Sequence, residues 1–194
     1  GFRQATEHLI GHGHKRIAFL AEYMHYSINL LQKGYRTAMR SAGLPVGKRW
    51  KMEFLWNPDF AEQLLHLIEK EKITAFLCTT EILGGRLMVW LKQHGYRIPE
   101  DIAIISYYGS TFADAMAPSL TTLYYPLEEI CSTAVGMVLE KVQKQSLERV
   151  AKPVKIKSKL HFGASCGCPE QEMKIIWWDG VPAPIDKLQK QQQR

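Results

Sequence analysis

The chain has 194 residues, is 46% hydrophobic and carries a formal net charge of +6 at pH 7. This length suffices to bury one good core and part of a second. The sequence contains no apolar run near the roughly 20 residues that cross a bilayer, and no signal-like segment follows its first residues. These features exclude a membrane-spanning class and predict a soluble protein without a membrane partner.

Lysine and arginine are spread along the chain, with modest clusters at 47–51 and 152–159. The second cluster alternates with apolar residues, which is typical of a strand with one solvated face. We therefore expect most of this charge to be solvated surface, with a phosphate-binding patch as the alternative. The sequence places neither a recognisable DNA-reading helix nor an aromatic RNA platform beside the basic residues.

The first twenty residues predict a helix, a tight stop and a buried strand in immediate succession. Apolar residues recur on one helix face, two glycines end the helix, and 16–20 is an apolar run of strand length. A strand at 76–78 then precedes a helix over 81–94, and another strand is expected at 102–105. This alternation predicts an α/β fold, with a mainly parallel sheet flanked by helices on both faces. Because the chain opens on Gly1 inside a helical pattern, we expect its start to be a cut made in a longer protein.

The cysteine and histidine pattern indicates neither a disulfide framework nor a metal site. Cys78 and Cys131 lie in apolar contexts, where free cysteine behaves as a small hydrophobe. Cys166 and Cys168 are one residue apart, whereas zinc sites usually have two residues between thiolates and a second ligand pair elsewhere. A helix stop explains the HGH at 12–14. We therefore expect no metal and no cofactor, and reduced thiols favour the cytoplasm.

Motifs that carry enzyme chemistry are missing from the sequence. It contains no GxSxG nucleophile elbow, no GxxxxGK[ST] phosphate loop and no HExxH zinc motif. Adjacent carboxylates at 69–71 and 128–129 fall on predicted helices, where an exposed face accounts for them. The sequence therefore predicts a protein that is not an enzyme and has no catalytic residues.

Four motifs follow one another along the chain. They are ATEHLIGHGHKRIAFL at 5–20, KGYRTAMRSAGL at 33–44, ITAFLCTTEILGGRLMVWLKQHGYRIPEDIAIISY at 73–107 and APSLTTLYYPLEEI at 117–130. In this order and spacing they resemble the effector-binding domain of LacI/GalR-type transcriptional regulators, from about residue 1 to residue 166. The resemblance implies a two-lobed fold similar to periplasmic sugar-binding proteins, with a small ligand in the cleft between the lobes.

The resemblance also implies a division of the chain. Residues 1–123 would form a near-complete second lobe of a periplasmic-binding-protein-like fold, and 124–168 would supply return elements to the first lobe. Those return elements would be a helix at 126–145 and strands within 154–162. The DNA-binding module of the family would precede Gly1, so DNA would be contacted only through a module that this chain lacks.

Positions where the family usually places polar anchors differ in this sequence. The arginine that is usual three residues before a Gly-Tyr pair is replaced by Leu31. The polar pair after the strand at 76–78 reads Thr79 and Thr80, and the usual aspartate turn after the next strand reads Ser-Tyr-Tyr at 106–108. An aliphatic residue, two hydroxyls and aromatic rings thus stand where charged or amide groups are usual.

Ligands of parallel α/β sheets bind beyond the carboxyl ends of the strands, so the loops after Leu20, Leu55, Cys78 and Ile105 are expected to line the cleft. Their aromatic rings suit stacking on a sugar, a nucleobase or another flat effector. The alternative is that the rings fill a cleft that has lost its effector. The predicted ligand-binding residues are Tyr23, Tyr26, Trp56, Thr79, Glu81, Tyr107, Tyr108 and Tyr125, with His25 beside them.

The helix predicted over 81–94 carries more apolar residues than one buried face requires. Relatives in the family dimerise through the corresponding face, so the resemblance implies a homodimer, with core packing as the alternative. The predicted interface residues are Leu83, Leu87 and Trp90.

These expectations predict a ligand-sensing regulatory domain whose effector modulates an attached DNA-binding module. Two alternatives remain open, namely a sensor domain with an attached signalling output and, less favoured, a solute-binding protein for uptake. Residues 169–194 bear on the choice, because Trp177 and Trp178 interrupt a polar, proline-containing stretch with a glutamine-rich end. This segment is either a docked surface tail or a linker to a further domain.

Overall fold

A computed structural model describes residues 1–22, 26–48, 50–54, 59–109, 111–144 and 154–169. Six strands form one sheet, in the spatial order β2-β1-β3-β4-β5-β6. Strands β1 to β5 pair in parallel, and β6 runs antiparallel to β5. In chain order the strands are β1 Ile17–Ala21, β2 Lys51–Glu53, β3 Ala75–Cys78, β4 Ala103–Gly109, β5 Thr121–Tyr124 and β6 Lys159–His161.

The helices alternate with these strands, which confirms the predicted α/β fold with a mainly parallel sheet. They are α1 Phe2–Gly11, α2 Tyr26–Ser41, α3 Phe60–Glu69, α4 Glu81–Gln93, α5 Thr111–Asp114 and α6 Leu127–Gln143, with a 3-10 turn at Ala164–Cys166. Because parallel crossovers are right-handed, the connection from β1 to β2 places α2 on one face of the sheet. The connections from β2 to β3 and from β3 to β4 run the opposite way, so α3 and α4 lie on the other face.

The two elements predicted as return elements have different bounds in the structure. The helix expected at 126–145 spans Leu127–Gln143, and the only strand among the described residues of the segment 154–162 is β6. The strand has three residues and is largely exposed. It pairs with β5 at the edge of the same sheet rather than within a second lobe.

The core lies between α1 and α2 and the sheet, and between the sheet and α4. Every residue of β1 and β3 is buried, as expected for parallel strands covered on both faces. The Phe2 and Tyr35 rings pack on Phe19 with centroids 5.5 and 6.0 Å away. The buried Tyr35 hydroxyl donates a 2.7 Å hydrogen bond to the Ile17 carbonyl and so joins α2 to β1.

The segment after β6 returns to the start of the central strands. The Ser165 hydroxyl donates to the Ile104 carbonyl at 2.7 Å and accepts from the Thr121 amide at 2.9 Å. Ile104 and Thr121 lie at the beginnings of β4 and β5, so the 3-10 turn closes the amino edge of the sheet. This edge is also where α1 ends, because only five residues separate Gly11 from β1.

Helix α6 differs from the other long helices because none of its residues is buried among the described parts of the chain. Five of its apolar side chains are more than half exposed, namely Leu127, Val135, Val138, Leu139 and Val142. None of the described helices combines the length and the apolar character that crossing a membrane requires.

Candidate functional site

Three tyrosines form a continuous aromatic group at the carboxyl edge of the sheet. Tyr107 and Tyr108 lie near the end of β4, and Tyr125 follows β5. The ring centroids of Tyr107 and Tyr108 are 4.4 Å apart, and those of Tyr108 and Tyr125 are 5.4 Å apart. Tyr107 also packs edge-on against Phe2 at 5.8 Å, which anchors the group to the core. The structure thus brings together three of the predicted ligand-binding residues.

A backbone irregularity directs Tyr108 out of the sheet. Its φ is 59°, in the left-handed region that a bulky residue rarely adopts, and the pairing of β4 with β5 shifts register between Tyr107 and Gly109. Gly109 is required there, because a Cβ atom on it would lie 1.9 Å from the Thr122 hydroxyl oxygen. Tyr108 is 49% exposed as a result. Such strain concentrates at functional sites.

The phenol of Tyr107 lies in a less polar environment than that of Tyr108. Burial raises the pKa of Tyr107, and the neighbouring Tyr108 and Tyr125 phenols add to this effect. Tyr107 is therefore neutral at physiological pH and can both donate and accept a hydrogen bond.

Hydroxyl groups line the adjacent end of β3. The Thr79 side chain is buried, and its oxygen has no hydrogen-bond partner among the described residues. Thr80 caps α4 by accepting from the Leu83 amide at 3.1 Å, and it donates to the Glu22 carboxylate at 3.0 Å. A buried hydroxyl without a partner is rare in native proteins, so Thr79 has capacity for a ligand hydrogen bond.

The remaining predicted cleft residues fall into two groups. Glu81 begins α4 at the same edge and is partly exposed. Tyr23, His25 and Trp56 lie outside the described residues, as does the side chain of Tyr26 at the start of α2. Sequence reasoning missed Glu22, which directly follows β1 and bonds Thr80. Its position immediately after a buried strand was the available signal.

The two leucines of α4 that were predicted to form the dimer interface face the core of this chain. Leu83 and Leu87 are 1% and 3% exposed and belong to the core of this chain, so their burial follows from core packing. Trp90 is partly exposed and stacks on His94 with ring centroids 3.9 Å apart. The exposed apolar residues of the helix are instead Ile82 and Val89.

An apolar groove of about 950 Å³ runs between α3 and α4. Phe60 and Leu64 of α3 form one wall, α4 forms the other, and Met116 closes one end. Lys92 of α4 donates to the Ala117 carbonyl beside it. The groove lies on one flank of the sheet, away from the tyrosines at its carboxyl edge.

A second cluster lies at the amino edge of the sheet, where α1 ends. His8, His12, Cys166 and Cys168 hold their ligand atoms within 4.8 Å of one another. Burial raises the pKa of Cys168 to about 11, with the Cys166 thiol adding to the effect. Burial and the neighbouring His12 lower the pKa of His8. In the sequence the two cysteines lack a second ligand pair nearby, and the structure supplies that pair from His8 on α1 and His12 at its C-terminal cap.

His14, the residue that the sequence pairs with His12, lies outside this cluster. Its Nδ1 atom is 3.0 Å from the Thr74 hydroxyl. The signal that could have found the cluster was the H-x-x-x-H spacing of residues 8 and 12, which places both rings on one helix face.

Comparison with known proteins agrees with this architecture. Residues 6–166 match the model of a periplasmic-binding-protein-like domain. The HTH-type transcriptional repressor PurR of Photobacterium profundum is 30% identical over 148 residues, which is 75% of this chain and 44% of that protein. The chain thus spans less than half the length of the curated relatives it matches.

Two solved structures of regulatory proteins resemble the chain in both sequence and fold. A LacI-family regulatory protein from Chloroflexus aggregans has a TM-score of 0.67 and 27% identity, over 76% of this chain and 54% of that one. The transcriptional regulator CelR, solved in complex with cellobiose, has a TM-score of 0.72 and 25% identity, over 85% and 51%.

The fold defines an α/β domain with a mainly parallel sheet and helices on both of its faces. The chain belongs to the periplasmic-binding-protein-like domain family, in the form found in the effector-binding domains of LacI/GalR-type regulators.

Proposed function

We propose that this chain is the effector-sensing part of a LacI/GalR-type transcriptional regulator in the cytoplasm and performs no enzymatic reaction. The observation that carries the proposal is the tyrosine group at the carboxyl edge of the sheet, next to the Thr79 hydroxyl, for which the described part of the chain supplies no hydrogen-bond partner. The relatives named above are transcriptional regulators, which supports the same assignment.

The ligand class follows from the chemistry of this edge. Tyr108 and Tyr125 offer exposed ring faces for stacking on a flat or sugar-like effector. The phenols and Thr79 offer hydrogen bonds to its hydroxyl or ring nitrogen atoms. The cellobiose in the CelR complex supports a carbohydrate as one candidate class.

The effector acts by closing two lobes around itself. Residues 1–123 form most of one lobe, and α6 belongs to the other, whose remaining residues are not in this chain. The exposed apolar side chains of α6 support this division, because they match a helix that packs against further structure. Effector binding favours the closed arrangement and so shifts the attached DNA-binding module between two states.

The test is a thermal-shift screen of the full-length gene product against sugars, nucleosides and aromatic metabolites. An effector at 100 times its dissociation constant adds about 2.7 kcal/mol of stability, which raises Tm by several degrees. Tyr108→Ala together with Tyr125→Ala should abolish the shift. Tyr96→Ala, at the opposite edge of the sheet, is the matched control and should retain it. A hit that survives the double substitution would contradict the proposed site.

A sensor domain with an attached output is the second candidate. Residues 169–194 favour it, because they continue beyond the family match, which ends at residue 166. The flanking gene sequence separates the candidates. A helix-turn-helix upstream supports the regulator, a cyclase or kinase downstream supports the sensor, and an export signal upstream would support an uptake protein.

We propose further that two chains form a homodimer through the groove between α3 and α4. The apolar lining of this groove and the exposed Ile82 and Val89 beside it support the proposal. An isologous dimer would present two DNA-binding modules to a palindromic operator.

A further inference from the structure

The four-residue cluster at the amino edge has the composition of a metal site. His8 Nε2 lies 3.3 Å from Cys166 Sγ and 3.5 Å from Cys168 Sγ, and His12 Nε2 lies 3.4 Å from Cys168 Sγ. A set of two thiols and two imidazoles is typical of structural zinc sites. The cluster is separate from the tyrosine group, which lies at the opposite edge of the sheet.

The distances suit a tetrahedral ion. Zinc binds cysteine sulfur at about 2.3 Å and histidine nitrogen at about 2.0 to 2.1 Å, so a tetrahedral angle places a sulfur and a nitrogen ligand about 3.6 Å apart. The three nitrogen-to-sulfur distances given above, 3.3 to 3.5 Å, fall within about 0.3 Å of that value. Closing the cluster around an ion therefore requires only small side-chain movements.

The local backbone presents all four ligands to one point. His8 and His12 are one helical turn apart at the end of α1, and so their rings share a face. Gly167 has a φ of 94°, in the left-handed region that favours glycine, and this turn lets Cys166 and Cys168 face the same side.

Neighbouring groups hold the ligands in position. The Phe162 ring packs on the His8 ring with centroids 5.0 Å apart. The Thr121 hydroxyl oxygen lies 3.0 Å from Cys166 Sγ and 2.7 Å from the Gly163 carbonyl oxygen, so its single proton is shared between the metal-ligand sulfur and the backbone of the same turn. Cys166 is fully buried, whereas His12 is exposed, so an ion has a route from solvent.

We propose that His8, His12, Cys166 and Cys168 bind one zinc ion in a closed structural site. With four protein ligands the ion has no open position, so it stabilises the fold and performs no chemistry. It would join α1 to the turn after β6, although these ligands are up to 160 residues apart in the chain. The zinc thereby holds the end of the family domain against its first helix.

The first measurement is the metal content of the untagged chain, purified without chelators and analysed by inductively coupled plasma mass spectrometry. We expect one zinc per chain. Replacement by Co²⁺ should give visible absorption bands of a tetrahedral ion and a near-ultraviolet thiolate-to-cobalt charge-transfer band. A content near zero in protein grown with added zinc, or a cobalt spectrum without thiolate bands, would overturn the proposal.

Matched variants distinguish this site from adventitious binding. His12→Asn and Cys168→Ser should each weaken zinc binding at least about 100-fold, since loss of even a ligand's hydrogen-bonding partner costs 10- to 100-fold. His14→Asn, two residues away, and Cys131→Ser, an exposed cysteine on α6, should bind zinc as the unmodified chain does. Equal affinity in all four variants would overturn the assignment.

Stability supplies an independent readout. Chelation should lower Tm by several degrees in the unmodified chain and in His14→Asn, but should leave the Tm of His12→Asn unchanged. Because the His12 side chain is exposed, this variant should fold even if a substitution at the buried Cys166 does not. A chelator effect of the same size in His12→Asn would contradict a role for the cluster. The outcome is independent of the effector screen, since Tyr108 and Tyr125 are not ligands.

Discussion

At the scale of single residues, the carboxyl edge depends on the irregular end of β4. Tyr108 is held in the left-handed region, and Gly109 approaches Thr122 so closely that only glycine fits. Both features serve to direct the Tyr108 ring away from the sheet and towards Tyr125. The strain is tolerated because the preceding residues of β4 are buried and paired on both sides.

Gly109→Ala should therefore destabilise the chain by about 1 to 3 kcal/mol, because the added Cβ forces β4 away from β5. Gly136→Ala is the matched control. A Cβ at Gly136 of α6 meets no atom within 4 Å, and alanine there should stabilise the helix by up to about 1 kcal/mol. Urea unfolding of the two variants measures both effects. If Gly109→Ala were no less stable than Gly136→Ala, the close approach at Gly109 would be contradicted.

At the scale of elements, α4 separates its apolar residues into two sets. Leu83 and Leu87 pack into the core beneath the helix, whereas Ile82 and Val89 remain more than half exposed. The helix thus serves two purposes, since its buried leucines complete the core and residues of both sets line the groove shared with α3.

Leu87→Ala should lower the free energy of unfolding by about 2 to 5 kcal/mol, because it opens a cavity in a packed core. Ile82→Ala, at a position 58% exposed, should change it by no more than about 0.5 kcal/mol in the monomer. Both are measured by urea unfolding at a concentration where the chain is monomeric. Equal effects at the two positions would contradict the burial assigned to α4.

The contrast between α4 and α6 shows how far helix pattern predicts packing. Both helices carry many apolar residues; α4 was predicted from the sequence pattern, and the helix at 126–145 was implied by the family resemblance. The partner of α4 is the sheet of this chain, whereas the apolar residues of α6 face no core among the described residues. Periodicity identifies an apolar helix face, but it does not identify the structure against which that face packs.

At the scale of the whole molecule, the proposed dimer places the groove between α3 and α4 of one chain against the same groove of the second chain. Val89→Glu puts a charge into this apolar surface and should raise the dimer dissociation constant at least about 10-fold, which corresponds to 1.4 kcal/mol. Leu30→Glu is the control and should leave the constant unchanged, because Leu30 is an exposed residue of α2 on the opposite face of the sheet. Sedimentation equilibrium measures both, and an unchanged constant in Val89→Glu would contradict the interface.

The sequence by itself determined the α/β alternation and the family resemblance. Apolar runs such as the one at 16–20 predict buried strands, because strands covered on both faces need apolar side chains throughout, and the structure places β1 at Ile17–Ala21. The loops after those strands were predicted to form the site for the same topological reason, and Tyr107, Tyr108 and Tyr125 do meet there.

Only the tertiary structure decided the remaining points. The direction of Leu87 depends on how α4 rotates against the sheet, and the exposure of Tyr108 depends on a register shift with β5. His8 and Cys166 meet although 158 positions separate them. Spacing along a chain reports neighbours within a few residues, whereas a cluster of this kind is created by the packing that returns the end of the domain to its first helix.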